Sequence, residues 1–145
     1  NYIRSAGHLG WAFPAALGAK CALPHRSIIC FTGDAGFWYH IAEIETAVRW
    51  NINSIIVVNN NSAGNQSKTG FDRAYGGTQT EEAKKMWNFT KVNFANIANE
   101  IGALGLRVEK PGQFGGALDQ ALEAKRPVII DVVTDVDAIA PAAVS

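Results

Sequence analysis

Three short runs rich in β-branched residues constrain the fold of this chain more than any other feature. They cover residues 27–32, 54–59 and 127–133, and each is almost continuously apolar rather than alternating. Strands buried on both faces have this pattern, and such strands are typical of parallel sheets. The runs therefore predict three strands of one buried parallel sheet.

Helical patterns fill most of the chain between these runs. Residues 36–50 carry apolar side chains at a spacing close to 3.6 residues, and residues 9–22 are rich in Ala and Leu. Residues 93–101 and 114–125 also show helical spacing. Strands that alternate with helices predict an α/β fold in three layers, α/β/α, with a mostly parallel sheet.

The stretch 62–88 departs from this alternation because it is polar and glycine-rich and has no sustained period. It predicts a long loop with one short helix near residues 81–87. Long loops inside compact domains are usually functional or mobile, although a surface excursion that packs on a partner domain fits equally well.

Composition limits the classes of partner. The chain has 145 residues, the size of one domain, and we expect residues 1–145 to form a single domain. Basic and acidic residues number 13 each, so a formal net charge of zero argues against binding to nucleic acid or to anionic membranes.

Two further features bear on the compartment. No apolar run approaches the roughly 18 residues of a membrane span. Cys21 and Cys30 form no Cys-x-x-Cys pair, and we expect both to be buried thiols in a reducing compartment. These observations predict a cytoplasmic protein.

Polar clusters follow the first two predicted strands, at residues 32–36 and 59–64. Ligands of open parallel sheets bind beyond the carboxyl ends of the strands, where small residues let backbone N–H groups approach a phosphate. Asp34 would place a negative charge beside such an anion, and a magnesium ion between them would resolve the conflict. Asp34, an Asn side chain of the second cluster and a loop carbonyl would then be the protein ligands. Ordinary turn chemistry explains either cluster taken alone.

A nucleotide-binding module is the main rival from another functional class. Neither residues 7–10 nor residues 33–36 match Gly-x-Gly-x-x-Gly, and the chain has no Gly-x-x-x-x-Gly-Lys-Ser/Thr phosphate loop. These absences weigh against the rival, which predicts nucleotide binding that needs neither magnesium nor Asp34.

The motifs resemble those of a known family. Gly-Asp-Ala-Gly at residues 33–36, Glu43 on the next helix and Asn-Asn at 60–61 are similar to the thiamine diphosphate signature of the acetohydroxyacid synthase and pyruvate decarboxylase superfamily. Residues 7–19 are similar to the segment that holds the thiamine pyrimidine in acetolactate synthase-like enzymes. The resemblance implies the thiamine diphosphate-binding fold of a pyrophosphate-binding domain, the C-terminal third of a longer enzyme.

The resemblance also implies a site. Magnesium would bind the Asp34 carboxylate, Asn61 and the Ala63 carbonyl, with Asn60 replacing Asn61 if the register slips by one residue. Leu9 would hold the cofactor bent, and the Gly7 carbonyl would accept from its 4′-amino group. The residues implied to contact the cofactor are Gly7, His8, Leu9, Gly33, Asp34, Ala35, Gly36, Asn61, Ala63, Gly64 and Asn65.

Two departures from the family pattern matter. Ala35 stands where most relatives have glycine, which is tolerated only if this residue avoids a positive φ. The activating glutamate of the family comes from a pyrimidine-binding domain of the same or a neighbouring subunit, so no catalytic residue is assigned within this chain. We expect Glu43 and Glu45 to be helix-packing or solvated residues. Two interpretations of the aromatic residues at 37–39 remain open: a packed cluster or, together with residue 11, an exposed surface on which another domain docks.

The resulting expectation is a domain that binds thiamine diphosphate and Mg²⁺ within an acetolactate synthase-like enzyme acting on 2-oxo acids. A 2-hydroxyacyl-CoA lyase or oxalyl-CoA decarboxylase-like enzyme is the alternative substrate class. The complete protein is expected to be a homodimer or tetramer, and the chain alone to be inactive. A separate subunit that meets its pyrimidine-domain partner in trans remains open.

Overall fold

Four parallel strands form one sheet in this computed structural model, which describes residues 2–4 and 7–138. The strands are β1 (Ile29–Gly33), β2 (Ile55–Asn60), β3 (Leu104–Val108) and β4 (Val128–Val133). Their order across the sheet is β1-β2-β4-β3, and each neighbouring pair is parallel. The fold class predicted from the alternating runs is therefore confirmed, and the strands expected at 27–32, 54–59 and 127–133 are all present.

Seven α-helices accompany the sheet within the described residues. They are α1 (Ala12–Ala22), α2 (Asp34–Trp38), α3 (Glu43–Arg49), α4 (Asn65–Ala74), α5 (Glu81–Lys85), α6 (Phe94–Ile101) and α7 (Phe114–Glu123). Helices α1, α2, α3 and α6 build one apolar core against the sheet, whereas α7 builds a second core against the opposite face. The sheet is thus the middle of three layers.

Strand β3 was not predicted from the sequence. It carries Gly105 and Arg107 among apolar residues, and most of its length is only half-buried. Because β3 lies at the edge of the sheet and pairs only with β4 among the described strands, it lacks the continuous apolar pattern of the central strands.

The helix expected over residues 36–50 is divided into α2 and α3 by turns at residues 39–42. Phe37 is fully buried, so of the two interpretations of the aromatic cluster it fits the packed one and not the exposed surface. Its ring stacks on Phe13 at 5.3 Å and meets the edge of Phe94 at 5.2 Å. Trp11, Trp38 and Tyr39 are exposed.

The prediction of a loop over residues 62–88 was wrong for its first half, because residues 65–74 form α4. This helix has no buried residue, which explains why its polar sequence resembles a loop. Side chains hold it in place: Lys68 and Gln79 both donate to Asp72, and the Trp87 indole donates to Gln79 at 2.6 Å. The short helix predicted near 81–87 is confirmed as α5.

The two thiols differ in environment. Cys30 is buried in β1, and this burial raises the pKa of its thiol to about 11. Cys21 is exposed near the end of α1, so its predicted burial was wrong; the helix is rich in Ala on both sides and gave no clear apolar face. Glu45 is exposed and pairs with Arg49, as expected for a solvated residue. Within residues 2–4 and 7–138, no helix combines the length and apolar character needed to span a membrane.

The contact between β3 and α6 provides a test of the fold. A Cβ at Gly105 would overlap the backbone carbonyl of Ala95, so Gly105→Ala should destabilise the chain by about 3 kcal/mol or more. Gly116→Ala is the matched control because its Cβ would meet open space in α7, where alanine should stabilise by about 0.5–1 kcal/mol. Urea denaturation of both variants measures the difference, and equal stabilities would contradict this packing.

Candidate functional site

The two polar clusters meet at the carboxyl ends of β1 and β2. Gly33 at the end of β1 is in register with Asn59 of β2, so the residues that follow leave the sheet side by side. Asp34 begins α2 directly after β1, and Asn60 ends β2. The prediction that the clusters adjoin on neighbouring strands is therefore confirmed.

Asp34 is the buried acidic group of this site. Asp34 is only 3% exposed, and its two carboxylate oxygens accept hydrogen bonds from different partners. Oδ1 accepts from the backbone N–H of Ala35 at 2.8 Å, and Oδ2 accepts from the backbone N–H of Ala63 at 3.2 Å. The carboxylate thus joins the loop after β1 to the loop after β2.

Asn61 points at the same backbone group. Its Oδ1 accepts from the Ala63 N–H at 3.1 Å, while Asp34 Oδ2 approaches the same nitrogen. A carboxylate oxygen and an amide oxygen therefore converge on one N–H group. Two such oxygens side by side are hard ligands of the kind that magnesium prefers.

The orientation of Ala63 follows from a short backbone bridge to Asn88. The Gly64 N–H donates to the Trp87 carbonyl at 2.7 Å, and the Phe89 N–H donates to the Ser62 carbonyl at 2.7 Å. Because the backbone groups of Ser62 and Gly64 make these bonds to the partner segment, the N–H of Ala63 is free to face the other side, where it donates to Asp34.

Burial raises the pKa of Asp34, although backbone hydrogen bonds from Ala35, Ala63 and Ser62 oppose the shift. Among the described residues, the hydrogen-bond donors to this carboxylate are backbone amides, which carry no full charge. A cation beside Asp34 would therefore offset the penalty for burying its charge. The described part of the chain holds no cluster of three or more His, Cys, Asp or Glu residues that could bind a metal ion.

Asn60 is oriented differently from Asn61. Its side-chain amide nitrogen donates to the Val92 carbonyl at 3.0 Å and to Asp131 at 2.8 Å, which directs it toward β4. Its oxygen accepts from Ser62. The geometry favours Asn61 over Asn60 as the residue that accompanies Asp34.

The segment containing Gly7, His8 and Leu9 lies against the first turn of α2, and all three residues are exposed. Leu9 Cδ1 would lie 3.6 Å from a Cβ at Gly36. Gly10, which was not singled out from the sequence, has a φ of +90°, and a Cβ there would come within 2.9 Å of His40 and Tyr39. Gly10 thus permits the close approach of this segment to α2.

The remaining predicted residues surround the same loops. Ala35 lies in α2 and is not among the residues with positive φ, so the methyl group in place of the family glycine is tolerated. Gly33 is exposed with open space around its Cβ position. Gly64 precedes α4, and Asn65 is the first residue of that helix.

A cleft of about 670 Å³ opens beside these residues. Leu9, Ala35 and Gly64 form part of its lining, together with Trp38 and Tyr39 of the α2 end. The part of the lining that sequence reasoning missed consists of Met86, Trp87, Phe89, Thr90 and Val92. The signal that could have found it is the group of large apolar residues that ends an otherwise polar stretch.

Comparison with known proteins identifies the family. Residues 1–132 match the family model described as thiamine pyrophosphate enzyme, C-terminal TPP binding domain. Acetolactate synthase of Bacillus subtilis is 36% identical over 132 residues, which cover 88% of this chain and 21% of that protein. Glyoxylate carboligase of Escherichia coli O157:H7 is 32% identical over 142 residues, which cover 90% and 23%.

A solved structure is also similar. The thiamine diphosphate-dependent 4-hydroxybenzoylformate decarboxylase of Rhodococcus jostii RHA1 matches 88% of this chain and 23% of its own, with a TM-score of 0.74 and 29% identity. The chain therefore spans about a fifth of the length of these relatives. The chain belongs to the family of C-terminal TPP-binding domains of thiamine pyrophosphate enzymes.

Proposed function

We propose that the chain binds thiamine diphosphate and Mg²⁺ as the C-terminal domain of an acetolactate synthase-like enzyme that decarboxylates or joins 2-oxo acids. The observation that carries the proposal is the convergence of Asp34 and Asn61 oxygens on the Ala63 N–H at the carboxyl ends of β1 and β2. Family membership supports the cofactor, and this donor set fits the metal.

The protein ligands of Mg²⁺ would be the Asp34 carboxylate, the Asn61 side-chain oxygen and the Ala63 carbonyl. Mg²⁺ binds few carboxylates and takes its remaining oxygens from substrate phosphates and water. One buried carboxylate with two neutral oxygen donors therefore leaves coordination positions for the cofactor's diphosphate.

The diphosphate would lie between the two loops. Gly33, Ala35 and Gly36 border it on one side, and Gly64 and Asn65 on the other. Helix α4, which starts at Asn65, has ten residues, and its amino end directs backbone N–H groups and a positive partial charge toward an anion.

The thiamine half of the cofactor would lie over Gly7, His8 and Leu9, above the apolar cleft. Thiamine diphosphate, when bound, supplies a stabilised carbanion that adds to a carbonyl group. Leu9 would position the cofactor, and the side chains of Trp87 and Phe89 would exclude water from the cleft.

A second domain should cover this site. Tyr39 and Met86 border the cleft and are 67% and 70% exposed, as expected of a surface that packs on another domain. We propose that this partner is a pyrimidine-binding domain of the same or a neighbouring subunit that supplies the activating glutamate. Residues 1–145 would then be one domain of a longer cytoplasmic protein, a homodimer or tetramer, and would be inactive alone.

The relatives do not agree on one reaction, since their names include a synthase, a carboligase and a decarboxylase. We therefore propose a reaction class, carbon–carbon bond cleavage or formation next to a carbonyl group, rather than one substrate. A coenzyme A thioester as substrate remains the alternative within that class.

Replacement of Asp34 tests the metal site. Asp34→Ala should abolish the Mg²⁺-dependent binding of thiamine diphosphate because it removes the charged ligand. Asp119→Ala is the matched control, since Asp119 is an exposed residue of α7 on the opposite face of the sheet. Isothermal titration calorimetry with and without Mg²⁺ measures the effect, and unchanged binding by Asp34→Ala would refute the assignment.

The titration of Asp34 provides an independent test. In the metal-free chain, its pKa is raised by burial, whereas Gln79 and Lys68 lower the pKa of Asp72. Carboxyl ¹³C NMR should therefore show Asp34 losing its proton at a higher pH than Asp72. Since the folded state holds the Asp34 proton more tightly than the unfolded chain, its contribution to stability is lost as pH rises through the raised pKa.

Addition of Mg²⁺ with thiamine diphosphate should move the Asp34 titration to lower pH, because the metal binds only the ionised carboxylate. An Asp34 titration at or below that of Asp72 in the metal-free chain, or one unaffected by Mg²⁺, would contradict this site.

A further inference from the structure

Asp131 connects the candidate metal-binding loop to the far edge of the sheet. It lies on β4 with a fully buried side chain. Its Oδ1 accepts from Asn60 Nδ2 at 2.8 Å, and its Oδ2 accepts from the Phe94 N–H at 2.9 Å. Arg107 of β3 donates to the same Oδ2 at 2.5 Å. The ion pair with Arg107 offsets the desolvation of this buried carboxylate.

These contacts determine how the Asn60 amide is oriented. The Val92 carbonyl and the Asp131 carboxylate can only accept hydrogen bonds, so the NH₂ group of Asn60 must face them. The Asn60 oxygen then faces Ser62 and accepts from its N–H at 3.2 Å and from its hydroxyl at 3.3 Å.

Ser62 needs this support because its backbone is in the left-handed region, with a φ of +55°. A residue with a Cβ pays about 1–2 kcal/mol for this conformation, and local hydrogen bonds offset the penalty. The turn at Ser62 is what brings the next N–H, that of Ala63, to Asp34 and Asn61.

We propose that Asp131, held by Arg107, is a positioning residue for the metal site. Through Asn60 it stabilises the left-handed turn at Ser62, and this turn places Asn61 and Ala63 beside Asp34. The inference rests on the proposed magnesium site, which Asp131 itself does not touch.

The test is a titration of the intact natural polypeptide with Mn²⁺ in the presence of thiamine diphosphate, with free Mn²⁺ measured by electron paramagnetic resonance. Asn60→Ala removes the hydrogen bonds that connect Asp131 to Ser62 and leaves the Arg107–Asp131 pair in place. The Mn²⁺ dissociation constant should rise about 10–100-fold, the range found when a residue that orients a metal ligand is lost.

Asn59→Ala is the matched control. Asn59 is the neighbouring residue of β2, and its side-chain oxygen accepts from the Thr134 hydroxyl at 2.7 Å rather than from the loop. This variant should bind Mn²⁺ with the affinity of the unmodified protein. Equal losses of affinity in Asn59→Ala and Asn60→Ala would overturn the proposal.

A rescue experiment separates positioning from general stability. Ser62→Gly added to Asn60→Ala should restore part of the Mn²⁺ affinity, because glycine adopts a positive φ without a steric penalty. Ser62→Ala in the same background keeps its Cβ and should restore none. A purely structural role for Asn60 predicts no difference between these two double variants, and that result would overturn the proposal.

Asp131→Asn removes the carboxylate that orients the Asn60 amide, so it should also weaken Mn²⁺ binding. Thermal unfolding of this variant checks that it folds. If Asp131→Asn does not fold, Asn60→Ala and its rescue test the proposal.

Asp34→Ala in the same titration distinguishes failure of the proposed metal site from failure of the positioning role of Asp131. Unchanged Mn²⁺ binding by Asp34→Ala means that the proposed metal site is wrong, whereas lost binding there with normal binding by Asn60→Ala overturns only the positioning role.

Discussion

The hydrogen bond between the buried Asp34 carboxylate and the Ala63 N–H is the interaction on which the candidate site depends. It joins two loops that are separated by 29 positions in the chain and are adjacent only because β1 and β2 pair in parallel. The sheet thus provides the framework, and one backbone N–H group brings two potential metal ligands together. A buried carboxylate held by backbone amides is poorly compensated without a cation, which is the physical basis for expecting one here.

The central strands could be predicted because their burial on both faces leaves a continuous apolar run in the sequence. Strand β3 was not predicted because, as an edge strand that contains Gly105 and Arg107, it lacks a continuous apolar run. Helix α4 was not predicted for a related reason. It buries no residue, and the side chains that hold it, Gln79 and Trp87, lie outside the helix and are linked to it by hydrogen bonds. The elements that hydrophobic periodicity did not reveal are those stabilised mainly by polar or edge contacts.

The candidate site also contains residues that could be predicted from the sequence and residues that could not. The two strand-end clusters, with Asp34 in the first, could be predicted from the sequence because parallel pairing brings the ends of neighbouring strands together. The choice of Asn61 and Ala63 within the second cluster came from the resemblance to the family. Gly10 and the apolar wall at residues 86–92 depend on how distant segments pack, which spacing does not encode. Asp131 did leave a signal, since it is the one charged residue inside an otherwise apolar strand. Its partners Asn60 and Arg107 lie 71 and 24 positions away, so only the folded chain identifies them.

The most direct measurement of the central claim is a calorimetric titration of the unmodified chain with thiamine diphosphate. It would be run with Mg²⁺ and again with a chelator, with NAD and ATP as control ligands. We expect binding of thiamine diphosphate only when Mg²⁺ is present, and no binding of either nucleotide. Binding that persists in the chelator, or binding of NAD or ATP in place of thiamine diphosphate, would contradict it.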